Sequence, residues 1–205
     1  MKYMFIATLL LANIVASKIV VIGGVLLPAA IVLYPLTFLI TDVVGEIEGK
    51  EQAQRLVLSG FYMSLFMVAA LLVVKWLPPA PIWNHQVAFE AILGATPRIV
   101  LASMIAYIAS QTHDVWSFHW WRAKTEGRHL WLRNTASTVV SQGIDSILFI
   151  TIAFGGLYAW SAIAAMVVSQ YLVKVFIALL DTPLCYLLVR YYENNGNYRK
   201  QVQGT

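Results

Sequence analysis

The chain has 205 residues, of which 60% are hydrophobic and only 12% charged, and its mean hydropathy is +0.71. A soluble domain is nearer half apolar and a quarter charged, so this composition describes a membrane protein with little room for a soluble domain beside its spans. The formal charge of +4 is modest, and the single cysteine, Cys185, excludes an intrachain disulfide and a thiolate metal cluster.

A helical span needs about 20 mostly apolar residues to cross roughly 30 Å of hydrocarbon. Six runs qualify, at about 3–22, 29–47, 56–77, 98–120, 135–157 and 160–190. The first exceeds a signal-peptide core and is interrupted by Asn13 and Lys18, so it reads as a retained span. Gly23-Gly24 and Pro28 close the first turn, and Pro78-Pro79-Ala80-Pro81 ends the third run. Pro97 suits the first turn of the fourth helix, where its missing N–H costs nothing. The short break at Gly155-Gly156 makes the last two runs an antiparallel hairpin. These runs are too long for barrel strands, and helices satisfy their own backbone in lipid. The expected fold is therefore all-α, one transmembrane domain over residues 1–205, built as a bundle of six transmembrane helices.

The basic residues orient the bundle. With six spans, the N-terminus, the second and fourth loops and the C-terminus share one side. That side carries Lys2, Lys50, Arg55, Arg122, Lys124, Arg128, Arg133, Arg190, Arg199 and Lys200, ten of the fourteen Lys and Arg. The positive-inside rule puts both termini in the cytoplasm. Trp116, Trp120, Trp121 and Trp131 stand beside the basic loop, where an interfacial aromatic belt belongs. Alternating Trp and Arg from Trp120 to Arg133 reads as that loop, so no nucleic-acid partner is expected. His113 and His119, six apart, do not share a helix face and read as interfacial residues. No metal site and no cofactor are expected.

Polar groups inside spans cost several kcal/mol each when charged, so they face the bundle interior and mark pathways. The first run carries Asn13 and Lys18, and the second carries Thr41-Asp42 near Phe38. In the fourth, Ser103, Tyr107, Gln111 and Asp114 recur at helical spacing. In the fifth, Ser141 or Gln142, Asp145 and Phe149 do the same, and the sixth carries Gln170, Lys174 and Asp181 along one stripe. Ser-Gln-x-x-Asp thus occurs twice, ending at Asp114 and at Asp145. Each residue has a plainer reading: Asn13 as close helix packing, Lys174 with Asp145 as a structural ion pair, Glu46 and Glu48 as solvated ends. Together they exceed what packing requires. Carboxylates and amides suit a flat heterocycle with an N–H and NH₂ donor edge and a carbonyl acceptor, and Tyr34, Phe38, Tyr107, Phe149 and Tyr171 offer stacking faces. The same carboxylates could carry protons in coupled transport.

Tyr34-Pro-Leu-Thr-Phe-Leu-Ile-Thr-Asp42, the segment Arg98 to Val115 with Ala102-Ser103, Ala106-Tyr107, Gln111 and Asp114, and Thr135 to Phe154 around Asp145-Ser146 resemble the queuosine precursor transporter family. So do Tyr171-Leu-Val-Lys174-Val and Asn13-Ile-Val-Ala-Ser-Lys18, which extends the resemblance from the first run to about Arg190. It implies a small six-span, multi-pass protein of the cell inner membrane. Such a protein imports 7-deazaguanine bases for tRNA queuosine salvage and is not an enzyme. It also implies that Asp42, Arg98, Gln111, Asp114, Asp145 and Lys174 matter. Gln142-Gly143 and the acidic Glu46 and Glu48 differ from some members, which leaves the base open among the 7-cyano form, the 7-aminomethyl form and queuine.

The expected substrate site therefore comprises Asn13, Phe38, Asp42, Tyr107, Gln111, Asp114, Gln142, Asp145 and Lys174, between the second, fourth, fifth and sixth spans. Asp114 and Asp145 would read the donor edge, Gln111 and Gln142 make amide contacts, and Lys174 meets the carbonyl or serves as counter-ion. The rival reading is a capture subunit for a vitamin-like heterocycle that needs a separate energising partner, because no Gly-x-x-x-x-Gly-Lys-Ser/Thr loop is present. An intramembrane hydrolase lacks its motifs. The expected partners are a small-molecule substrate and membrane lipid, and small-residue faces on the first and fourth spans would allow a homodimer.

Overall fold

A computed structural model describes residues 1–124 and 130–194; within these helices the side chains of 114–115, 118–119, 121–124, 130–138 and most of 178–194 are not described. Seven α-helices and one β-hairpin make up the described chain: α1 (Lys2–Val15), β1 (Ile19–Ile22), β2 (Val25–Pro28), α2 (Tyr34–Glu48), α3 (Lys50–Trp76), α4 (Gln86–Leu93), α5 (Thr96–Lys124), α6 (Leu130–Phe154) and α7 (Trp160–Asn194). A 3₁₀ turn, Ala29–Val32, joins the hairpin to α2.

The fold is predominantly helical, with one correction to the all-α expectation. The run 3–22 is not one helix. It stays helical to Val15, and Ser17 Oγ donates back to the Ile14 carbonyl at 2.9 Å. The four β-branched residues Ile19-Val-Val-Ile22 then pair antiparallel with Val25–Pro28, in the register Ile19↔Pro28 and Ile22↔Val25. Gly23 and Gly24 both adopt positive φ, 59° and 84°, which a two-residue hairpin loop requires and side-chain-bearing residues resist. Hydropathy alone cannot separate this run from a span, since β-branched residues suit strand and lipid equally.

Elsewhere the local chemistry accounts for the boundaries. Pro35 occupies the first turn of α2, and Gly49, at φ 91°, separates α2 from α3. Leu77 is extended before Pro78, as a residue preceding proline prefers, and this ends α3. Gly156, at φ 77°, turns α6 back into α7. The Lys2 ammonium meets the Glu48 carboxylate at 2.5 Å, so the start of α1 and the end of α2 share one end of the bundle.

Among the described residues, three helical segments are long and apolar enough to cross a membrane: Lys50–Trp76, Gln86–His113 (α4 with the first part of α5) and Trp160–Ile177. Two shorter apolar helices, Lys2–Val15 and Val139–Phe154, accompany them. Only 11% of the most apolar stretch of α3 is buried by the rest of the chain, so its Phe66, Val73 and other large apolar side chains face outward, as they would toward lipid.

Two apolar clusters hold the interior. One joins Ala12 and Ala16 to Ile99, Ala102 and Ala106 of α5, Phe149, Ile150, Ala153 and Phe154 of α6, and Ile163 and Met166 of α7. The other joins Phe5 and Leu9 of α1 to Ile40 and Val44 of α2 and Leu56 of α3. Alanines at the first cluster let helices approach closely, the usual device where lipid gives no hydrophobic push. These small residues are buried within the chain itself.

Candidate functional site

Between the two clusters lies a cavity of about 110 Å³. Six helices supply its wall, and five of them do so in residues one helical turn apart. These are Phe5 and Leu9 of α1, Val57 and Phe61 of α3, Ser103 and Tyr107 of α5, and Asp145 and Phe149 of α6. α2 contributes Tyr34, Thr37, Phe38 and Thr41, and α7 contributes Lys174. Spacings of three and four place such residues on one face of a helix. The largely apolar, aromatic lining with few polar groups is that of a small-molecule site.

The polar groups are few and arranged in pairs. Lys174 Nζ donates to Asp145 Oδ2 across the α6–α7 interface. The lysine side chain is only 5% exposed and the aspartate 19%, so the carboxylate is the more accessible member. The ammonium also lies 5.5 Å from the centre of the Tyr34 ring, within cation–π range. Tyr34 and Phe38 stack with centroids 6.1 Å apart, and Tyr107 meets Phe61 edge-to-face at 5.1 Å. Thr37 Oγ1 donates to the Tyr34 carbonyl at 2.8 Å, and Thr41 Oγ1 to the Phe38 carbonyl at 2.8 Å. With their protons committed to the helix backbone, both hydroxyls keep only lone pairs for a ligand. The wall thus offers acceptors at Asp145, Thr37 and Thr41 and a donor at Lys174.

Of the residues expected from sequence, Phe38, Tyr107, Asp145 and Lys174 meet in this cavity. Asp42 does not line it; that carboxylate is exposed, while its neighbour Thr41, about 100° round the helix, faces the cavity. Asn13 is buried at the α1–α3 contact, where Nδ2 donates to Ser64 Oγ at 3.2 Å. Gln111 is exposed and Gln142 half-buried, and neither belongs to the wall. Asp114 lies on α5 with its side chain outside the described residues, as do the basic side chains of the α5–α6 connector. Among the described residues no three His, Cys, Asp or Glu gather as metal ligands do.

The residues that sequence reasoning missed are Phe5, Leu9, Val57 and Phe61, together with Thr37. The apolar four carry no signal that separates cavity from lipid, so α3 was not expected to contribute and α1 only through Asn13. Arg98, which the family resemblance marked, serves another purpose. Its Nε donates to the Ile152 carbonyl at 2.6 Å and Nη2 to the Gly155 carbonyl at 2.5 Å. It caps the carbonyl end of α6 with a positive charge, where the helix dipole favours one, and so fixes the helix that carries Asp145.

Comparison with known proteins follows the same lines. The family described as "Putative vitamin uptake transporter" matches residues 28–188. A Bacillus subtilis (strain 168) protein named "Probable queuosine precursor transporter" is 34% identical over 185 residues, which covers 90% of this chain and 81% of the relative. No solved structure matches. The outward-facing apolar helices agree with a multi-pass membrane protein that takes a small molecule. The chain belongs to this vitamin uptake transporter family and is a transport protein rather than an enzyme.

Proposed function

We propose that this protein imports queuosine precursors, 7-deazaguanine bases, across the cell inner membrane. It does so as a six-span protein with both termini in the cytoplasm. The base sits in the cavity between α1, α2, α3, α5, α6 and α7. Its donor edge faces Asp145 and the Thr37 and Thr41 oxygens, its carbonyl faces Lys174, and its plane lies against Tyr34, Phe38 or Tyr107. One observation carries this reading: an aspartate and a lysine, paired with each other, set into a cavity lined mainly by aromatic and aliphatic side chains. The name of the Bacillus relative supports the substrate class, and the basic residues on one set of loops support the orientation.

The test is uptake of labelled 7-cyano-7-deazaguanine by cells that lack their own transporter and express this chain. Uptake above the vector control is expected, with loss in Asp145→Asn at equal membrane expression. Unchanged uptake in that variant removes the assignment of Asp145. The family's vitamin-uptake description and the lack of a phosphate-binding loop also favour a second reading, a capture subunit driven by a separate partner. Pure protein in liposomes separates the two, since exchange of base without any partner rules out the capture subunit.

A further inference from the structure

A second recess lies at the far end of α3. That helix starts beside Glu48 and runs 27 residues, about 40 Å, to Trp76, so its last turns stand away from the Lys2–Glu48 pair. There α4 lies against α3, and a shallow groove between them is floored by Leu71, Leu72, Phe89 and Leu93. The side chains of α4 that do not line the groove are apolar too: Val87 is 83% exposed, and Ala91 and Ile92 are exposed with it. A short helix apolar on both sides belongs in an apolar surround, so lipid closes this groove. Trp76 and Trp83, both exposed, stand at the same end, as residues at headgroup level do.

Two charges stand at the rim of the groove. Lys75 is exposed, and its ammonium makes no bond among the described residues. Glu90 Oε1 accepts from Gln86 Nε2 at 2.7 Å, which leaves its other oxygen uncommitted. The two charges are not paired with each other. A cation and an anion at the mouth of an apolar groove complement a zwitterionic headgroup above an acyl chain. The headgroup phosphate accepts from the lysine, and a primary ammonium donates to the glutamate, both as charge-assisted bonds. An anionic headgroup would satisfy Lys75 but meet Glu90 as a like charge.

We propose that the groove between α3 and α4 binds one phospholipid with a primary-ammonium headgroup, its phosphate on Lys75, its ammonium on Glu90 and an acyl chain along the apolar floor. The site is separate from the substrate cavity, whose last α3 residue, Phe61, lies about 20 Å short of Lys75 along the helix. The inference therefore stands apart from the importer reading.

The experiment mixes the full chain, purified in detergent, with phosphatidylethanolamine or phosphatidylglycerol at equal concentration and counts bound lipid by native mass spectrometry. The wild type is expected to hold phosphatidylethanolamine about tenfold more tightly, the effect of one charge-assisted contact. Glu90→Gln removes the carboxylate and should erase that preference while both lipids still bind. Lys75→Ala should weaken both by about tenfold, whereas Arg55→Ala, an exposed basic position near the other end of α3, should change neither. Lys75 and Glu90 are exposed, so neither variant threatens folding. A wild type that holds phosphatidylglycerol as tightly, or holds neither lipid, overturns the proposal. An unchanged ratio in Glu90→Gln, or a Lys75→Ala that behaves like Arg55→Ala, overturns it as well.

Discussion

Two basic side chains hold α6 in place, and they do so in opposite ways. Arg98 lies at the helix end and bonds to backbone carbonyls of Ile152 and Gly155. Lys174 lies about two turns away and bonds to the side chain of Asp145, beside an open cavity. The first partner set belongs to the backbone of the helix end. The second faces a cavity, where, on the proposed function, a ligand edge would meet the same two groups. A cation within a bundle is thus structural or ligand-directed according to whether its acceptor is backbone or a side chain facing a void.

Removing one member of the pair is the most severe way to test that distinction. Asp145→Ala leaves Lys174 buried and uncompensated, which costs about 3–5 kcal/mol, so both folded protein and uptake should fall sharply in membrane extracts. The double change Asp145→Asn with Lys174→Met should recover folded protein without recovering uptake; recovery of both would make the pair purely structural. Arg98→Ala should act on stability alone. It loses two charge-assisted bonds, roughly 1.5–3 kcal/mol each before relaxation, and should lower the thermal midpoint in detergent with an unchanged apparent KM for the surviving protein. A shifted KM there would erase the contrast between the two cations. Thr37→Val keeps shape and removes one acceptor from the wall, which should weaken uptake affinity by about 1 kcal/mol. Asn13→Ala is expected to be mildest. It breaks the bond to Ser64, worth about 0.6 kcal/mol by the average for polar contacts between membrane helices, and should leave KM where it was.

Gly60 sharpens the picture from the side of packing. A Cβ placed there would sit 2.7 Å from Leu9 Cδ2 and 2.9 Å from Phe5 Cε1, both on side chains that line the cavity. Gly60→Ala therefore presses the α1 wall inward, and reduced uptake with near-normal folded yield is the expected result in the same transport assay.

The positions of most helices were legible because long apolar runs bounded by Pro and Gly leave few alternatives. The hairpin at Ile19–Pro28 was not, although its β-branched first strand and Gly-Gly turn spell one out, because an apolar run of sufficient length reads first as a span. In the cavity wall, Asp145, Lys174, Tyr107 and Phe38 were legible as polar or aromatic residues at helical spacing within apolar runs. Asp42 illustrates the limit: choosing it over Thr41 needed the rotation of α2, and one residue along a helix changes direction by about 100°.

By itself, then, the sequence determined that this chain is a membrane-embedded, mostly helical protein and which expensive polar groups it keeps there, since burial cost in lipid is paid residue by residue and shows in composition; its motifs, by resemblance, pointed to a transporter. Only the tertiary structure decided that Lys174 pairs with Asp145 in a cavity, that Arg98 caps a helix, and that Asn13 binds Ser64 rather than facing that cavity. It also brought Phe5, Leu9, Val57 and Phe61 into the wall. The reason is physical: hydropathy records how much a residue avoids water, but whether it meets lipid, a neighbouring helix or a void depends on helix rotation, which packing between distant segments sets.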